Sequence, residues 1–107
     1  MVIGRKYCTY DILEVAKDNE NLVYEGTVCD GICDNHREMI FISRDLPRNV
    51  KEKVLKHELS HMYLRMSELG DGEVYTCEEL CEFVSKFSSE IEEVCRVYFR
   101  EMEERGS

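Results

Sequence analysis

No stretch of this 107-residue chain approaches the ~18 consecutive apolar residues that a bilayer span needs. The opening Met1-Val2-Ile3-Gly4-Arg5-Lys6 also lacks the apolar core of an export signal. A cytoplasmic setting is therefore expected. Basic residues are outnumbered, 14 Lys and Arg against 23 Asp and Glu, for a formal charge of −9. That surplus repels a phosphate backbone and argues against a direct nucleic-acid partner. Proline occurs once and glycine six times, with no repeat and no low-complexity linker. Residues 1–107 therefore read as a single domain. Six cysteines (Cys8, Cys29, Cys33, Cys77, Cys81, Cys95) would form a disulfide framework in a secreted chain; without an export signal they are expected to be reduced thiols. Histidine is scarce, with three residues, and two of them carry the argument.

Strand signals come first along the chain and helical signals second. This order predicts an α+β fold with a small antiparallel sheet of about three strands. Lys6 to Val15, rich in Tyr, Thr, Ile and Val, reads as a first strand, and Asn19 to Asn21 as a turn. A second strand is expected over Leu22 to Cys33, a hairpin at Asp34-Asn35, and a short third strand over Met39 to Ser43. Asp45 and Pro47 mark the entry to a helix running to about Ser67, because proline is tolerated in a first turn. Gly70 and Gly72 interrupt the pattern, Thr76 suits an N-cap, and a long last helix is predicted from Cys77 towards Glu104.

His57-Glu58-Leu59-Ser60-His61 spells H-E-x-x-H inside the first helix. Two histidines four apart lie one turn apart on one face, where both imidazoles reach one Zn²⁺. Glu58, about 100° round the helix, can meet a water held by the ion, so the motif proposes a zinc hydrolase. A helix whose histidines merely pack or cap is the competing reading. On the helical wheel Val50, Val54, His57, His61 and Leu64 form one stripe and Leu55, Leu59, Met62 and Met66 a second. A helix apolar on two sides is sandwiched. Leu55, Leu59 and Met62 are therefore expected against the sheet, with the histidines turned to the last helix and the metal between the two.

H-E-x-x-H supplies two protein ligands, whereas a catalytic zinc usually has three and an open position. The wheel of the last helix places Leu80, Phe83, Val84, Phe87, Ile91 and Val94 on an apolar stripe that Glu79 borders, while Glu78 and Glu82 point away. Glu79 is thus the better inward carboxylate. Thr76-x-x-Glu79 also fits a capping box, in which Glu79 reaches back to the Thr76 amide.

With these residues in view, the chain resembles the ImmA/IrrE-type metallopeptidases of phages and prophages. His57-Glu58-Leu59-Ser60-His61 followed by Glu79-Leu80-Cys81-Glu82-Phe83-Val84 is similar to that family's H-E-x-x-H and E-A-x-x-F-A pair, with Leu80 and Val84 where alanines are usual. The likeness spans about Gly26 to Val84. It implies a minimal gluzincin-like zincin fold with His57, His61 and Glu79 as zinc ligands and Glu58 as general base. It also implies a protein or peptide substrate such as a repressor.

A zincin also needs a donor for the oxyanion of the reaction, and Tyr63, Tyr75 and Tyr98 are the candidates named by the sequence. An extended substrate is expected along the edge of the Tyr24 to Cys33 strand. Cys29-x3-Cys33-x2-His36 reads as a reduced hairpin or as part of a second zinc site, with the hairpin favoured because no fourth ligand is evident. Val94, Val97 and Tyr98, within the acidic run towards Glu104, offer an apolar contact for another copy. A zinc-binding but catalytically idle interaction module is the second function class, and an intact Glu58 favours the enzyme.

Overall fold

The computed structural model describes the backbone of residues 2–5, 8–66 and 77–106 and the side chains of residues 10–65 and 80–105. Strands β1 (Val2–Arg5) and β2 (Cys8–Val15) form an antiparallel pair. A 3-10 turn follows at Glu20–Leu22, where the Asn19 side chain accepts from the Asn21 amide at 2.8 Å. The chain then makes a two-stranded arm, β3 (Val23–Tyr24) with β4 (Thr27–Val28), before β5 (Gly31–Asp34) and β6 (Met39–Ser43). Helices α1 (Arg48–Met66) and α2 (Cys77–Gly106) complete the fold. It is α+β, with a small sheet first and a long C-terminal helix last.

The main sheet has the strand order β1-β2-β6-β5. Among the described residues it holds four strands where about three were expected, because the predicted first strand begins at Cys8 and a separate β1 precedes it. Nor is the sheet wholly antiparallel, since β2 and β6 run parallel, with Ile12 opposite Ile40 and Glu14 opposite Ile42. The arm and β5 intervene in sequence and return the chain, so β6 enters the sheet between β2 and β5 in the direction of β2. The sequence carries a trace of this: Met39-Ile40-Phe41-Ile42 is a continuous apolar run, as a central strand covered on both faces requires. Ile40 and Ile42 join Tyr10 and Ile12 in the main core, while Phe41 is equally buried but points to the other face.

The expected second strand, Leu22 to Cys33, is broken. Glu25 (φ 50°) and Gly26 (φ 79°) both take left-handed backbone between the paired Tyr24 and Thr27, as a two-residue hairpin of the primed type needs. Glycine meets that demand without strain.

Helix α1 starts just after Pro47, whose carbonyl accepts from the Val50 and Lys51 amides at 3.0 and 2.9 Å. Its Leu55, Leu59 and Met62 are buried in the same core as Ile40 and Ile42, as the wheel predicts. Each such side chain contributes about 1.5–3 kcal/mol, whereas an exposed pair such as Lys56 with Glu92 at 3.4 Å contributes about 0–1 kcal/mol. The apolar stripe therefore seats the motif helix. Helix α2 packs beside it through Phe83, Phe87, Ile91, Cys95, Tyr98 and Phe99, with the Tyr63 and Phe87 rings 5.3 Å apart. Leu80 and Val84, expected on that buried stripe, are 44% and 55% exposed, because the apolar face of the described helix follows Phe83, Phe87 and Ile91 instead. Tyr98 is buried, so it does not offer the surface contact expected of it. Among the described residues no helix is long and apolar enough to cross a membrane.

Candidate metal centre

His57 and His61 stand four positions apart, and α1 converts that spacing into proximity. The two Nε2 atoms lie 3.2 Å apart with the rings nearly perpendicular, at 79°. Two nitrogens at that separation, each about 2.0–2.1 Å from a zinc ion, would subtend about 100 to 105°, close to tetrahedral. Both imidazoles are exposed, and Glu58 between them is buried. The ligand atoms of the three residues all lie within 4.8 Å of one another, the single group of this kind among the described residues. This is a possible metal-binding His-Glu-His group, and its donor set of two imidazoles and a carboxylate suits a divalent ion.

Electrostatics reinforce the geometry. Partial burial, and then the neighbouring His57, lower the pKa of His61 and favour the neutral imidazole that a metal requires. Burial raises the pKa of Glu58 above the ordinary carboxylate value, against a smaller opposing effect of His57. A carboxyl tuned upward in this way is a better proton acceptor. Its Oε2 is the one buried side-chain oxygen or nitrogen among the described residues with no hydrogen-bond partner. A fold rarely leaves such an atom unsatisfied, because its desolvation costs about 1–3 kcal/mol. A buried carboxylate with an unpartnered oxygen, grouped with two imidazole nitrogens, fits a possible site for a divalent ion.

The three residues open into a groove of about 710 Å³. Its described walls come from the β3–β4 arm, β5 and the turn after it, and include Tyr24, Cys29, Asp30, Cys33 and Asn35, with Lys53 from α1. The histidine face thus looks onto β5 rather than onto the described part of α2; the expectation of a metal between the helices falls on Glu79, whose side chain lies outside the described residues. The histidines face this way because α1 turns Lys56 and Tyr63 to α2, where they meet Glu92 and Glu90. One end of the groove is tied down by a polar network. Arg65, one turn beyond His61, donates to the Tyr10 hydroxyl at 2.6 Å and to the Asn35 carbonyl at 2.7 Å, while Tyr10 donates to Asn35 Oδ1 at 2.8 Å.

Glu79 lies at the start of α2, and its side chain is outside the described residues, as is the Thr76 cap. Tyr75 is outside them too. Tyr63 and Tyr98 are buried and donate to Glu90 and Glu14, so neither faces the groove as an oxyanion donor. Tyr24, Asn35 and Lys53, which line it, were not singled out from the sequence as donors, although the Tyr24 to Cys33 strand was expected to border the substrate. Asn35 read as a turn residue, and nothing local marked Tyr24 or Lys53 as a donor. Cys29, Cys33 and His36 form no metal cluster among the described residues. Neither thiol forms a disulfide among the described residues: Cys33 Sγ donates to Asn35 Oδ1 at 3.3 Å and Cys29 Sγ to the Thr27 carbonyl at 3.7 Å. No family model, no curated protein and no solved structure matches this chain.

Proposed function

We propose that the chain is a zinc-dependent metallopeptidase of the minimal zincin type, similar to the ImmA/IrrE group. In this reading it hydrolyses a peptide bond in a regulatory protein such as a phage repressor, in the cytoplasm of a bacterial or phage-infected cell. The observation that carries the reading is Glu58: a buried carboxylate with one unpartnered oxygen, beside two histidine nitrogens and open to a groove. His57 and His61 hold the zinc with Glu79 as third ligand. When bound, zinc makes a water more acidic and polarises the scissile carbonyl. Glu58 takes the proton of the attacking water and returns it to the departing amine nitrogen. The substrate lies extended along β5, the strand at one end of the sheet order, whose Gly31, Ile32 and Cys33 line the groove.

The exposed Val23, Tyr24 and Val28 of the arm favour the second reading, a zinc-binding interaction module without catalysis, since they offer an apolar surface beside the site. One experiment separates the two. Wild-type and Glu58→Gln protein are incubated with candidate repressors from the same genome, with and without chelator, and cleavage is followed by mass spectrometry. The expected result is chelator-sensitive cleavage that falls by about two to four orders of magnitude in Glu58→Gln. Equal cleavage by both proteins would remove Glu58 as base, and zinc binding without cleavage of any substrate would favour the module.

A further inference from the structure

Gly31 opens β5 opposite Ile42 of β6, at the edge of the sheet and under the helix that carries the metal group. Its backbone is not left-handed, so what glycine supplies here is space. A Cβ built on Gly31 would stand 2.5 Å from Val54 Cγ1, 3.2 Å from Glu58 Cγ and 3.3 Å from the Phe41 carbonyl oxygen. Val54 and Glu58 are one turn apart on α1. A single methyl would therefore wedge under both.

We propose that Gly31 is a positioning residue for Glu58. The missing side chain lets α1 sit directly on the edge strand, and this contact sets where the Glu58 carboxylate stands relative to His57 and His61. Val54 is β-branched and has essentially one rotamer in a helix, so it does not swing aside and the helix must lift. Glu58 cannot stay in place when that happens, because its Cγ rests against the same point of β5. The effect matters because small displacements of a reacting group are costly: about 1 Å can lower a rate by about a hundredfold. A purely structural role for Gly31 predicts lost stability and nothing more.

This inference rests on Glu58 acting as the base, and the test keeps the two apart. Gly31→Ala alone should lower the melting temperature by about 5 °C or more through overpacking. Val54→Ala removes the closer clash, so in that background the addition of Gly31→Ala should leave the melting temperature within about 2 °C and the Zn²⁺ affinity within about threefold of Val54→Ala alone. It should nevertheless lower kcat on a cleaved peptide by about tenfold or more with KM unchanged. The visible absorption of the Co²⁺-loaded protein should shift on the same step, and the shift should vanish when Glu58→Ala is also present. Identical kcat and identical Co²⁺ spectra with and without Gly31→Ala would overturn the proposal while leaving the peptidase reading intact. If the wild type cleaves nothing, that reading fails and the Co²⁺ spectrum still decides on Gly31. If Co²⁺ does not bind, the imidazole NMR shifts of His57 and His61 decide: Gly31→Ala must move them in the Val54→Ala background and must not when Glu58→Ala is also present, and unmoved shifts overturn the proposal.

Discussion

Two carboxylates are nearly withdrawn from solvent against α1, and the fold treats them in opposite ways. The Glu14 side chain on β2 is 10% exposed and accepts from Lys51 Nζ at 2.5 Å and from the Tyr98 hydroxyl at 2.6 Å. Glu58 is 6% exposed, and its Oε2 has no donor among the described residues. The first arrangement ties β2, α1 and α2 together. The second holds nothing together and raises the free energy of the charged form, as the raised pKa of Glu58 records. A buried carboxylate that is satisfied reads as structure; one left unsatisfied beside two imidazoles reads as chemistry.

The largest expected effect tests the chemical side of this comparison. His57→Ala and His61→Ala should each weaken zinc affinity by more than about a hundredfold in competition with a chromophoric chelator, and Glu79→Gln should weaken it clearly while helicity barely changes. Full zinc occupancy in both histidine variants would dissolve the site. Next in size is the contrast itself. Glu14→Gln should lower metal-free stability in urea by about 1–3 kcal/mol, since it leaves Lys51 without its anion. Glu58→Gln should leave that stability unchanged or raise it by up to about 1 kcal/mol, because a neutral amide is easier to bury. Losses of equal size in the two variants would show that the carboxylates do not differ.

A smaller effect is a pH dependence. Burial, and then the bond to Glu14, hold the Tyr98 hydroxyl well above the ordinary value of about 10. Above that pH the unfolded chain releases a proton that the folded chain keeps, so stability present below about pH 10 is lost as pH rises further. The buried Cys95 thiol, pushed up to about 11, adds the same sign of slope starting near pH 9. Urea midpoints between about pH 8 and 11 should fall in the wild type and fall less in Tyr98→Phe. An unchanged slope would detach Tyr98 from the alkaline loss. Smallest of all, Leu80→Ser and Val84→Ser should change stability by no more than about 0.5 kcal/mol, since both side chains are largely exposed. A loss several times larger in either would show that the apolar face of α2 extends to these residues.

Much of this is legible in the sequence, and the reason is local. H-E-x-x-H needs only the 3.6-residue period of a helix to bring His57 and His61 together, and α1 spans it. The stripe of Leu55, Leu59 and Met62 and the strand Met39 to Ser43 also follow from short-range periodicity. The rest depends on partners far away in sequence. Glu14 meets Lys51 and Tyr98, 37 and 84 residues on, and no window of the chain contains that cluster. The parallel pairing of β2 with β6 is hidden in the same way, since it depends on how the intervening arm folds back. Leu80 and Val84 misled because an apolar residue beside a stripe looks the same on a wheel whether or not a neighbour covers it.

By itself the sequence determined which side chains share a helical turn, and hence that two imidazoles and a carboxylate stand together on α1. Tertiary structure alone decided that the carboxylate is buried with an unpartnered oxygen, that the histidines open onto β5, and that the Gly31 backbone closes against Glu58. The physical reason is range: helical geometry is set by hydrogen bonds four residues apart, whereas desolvation and close packing are set by whatever the fold brings alongside.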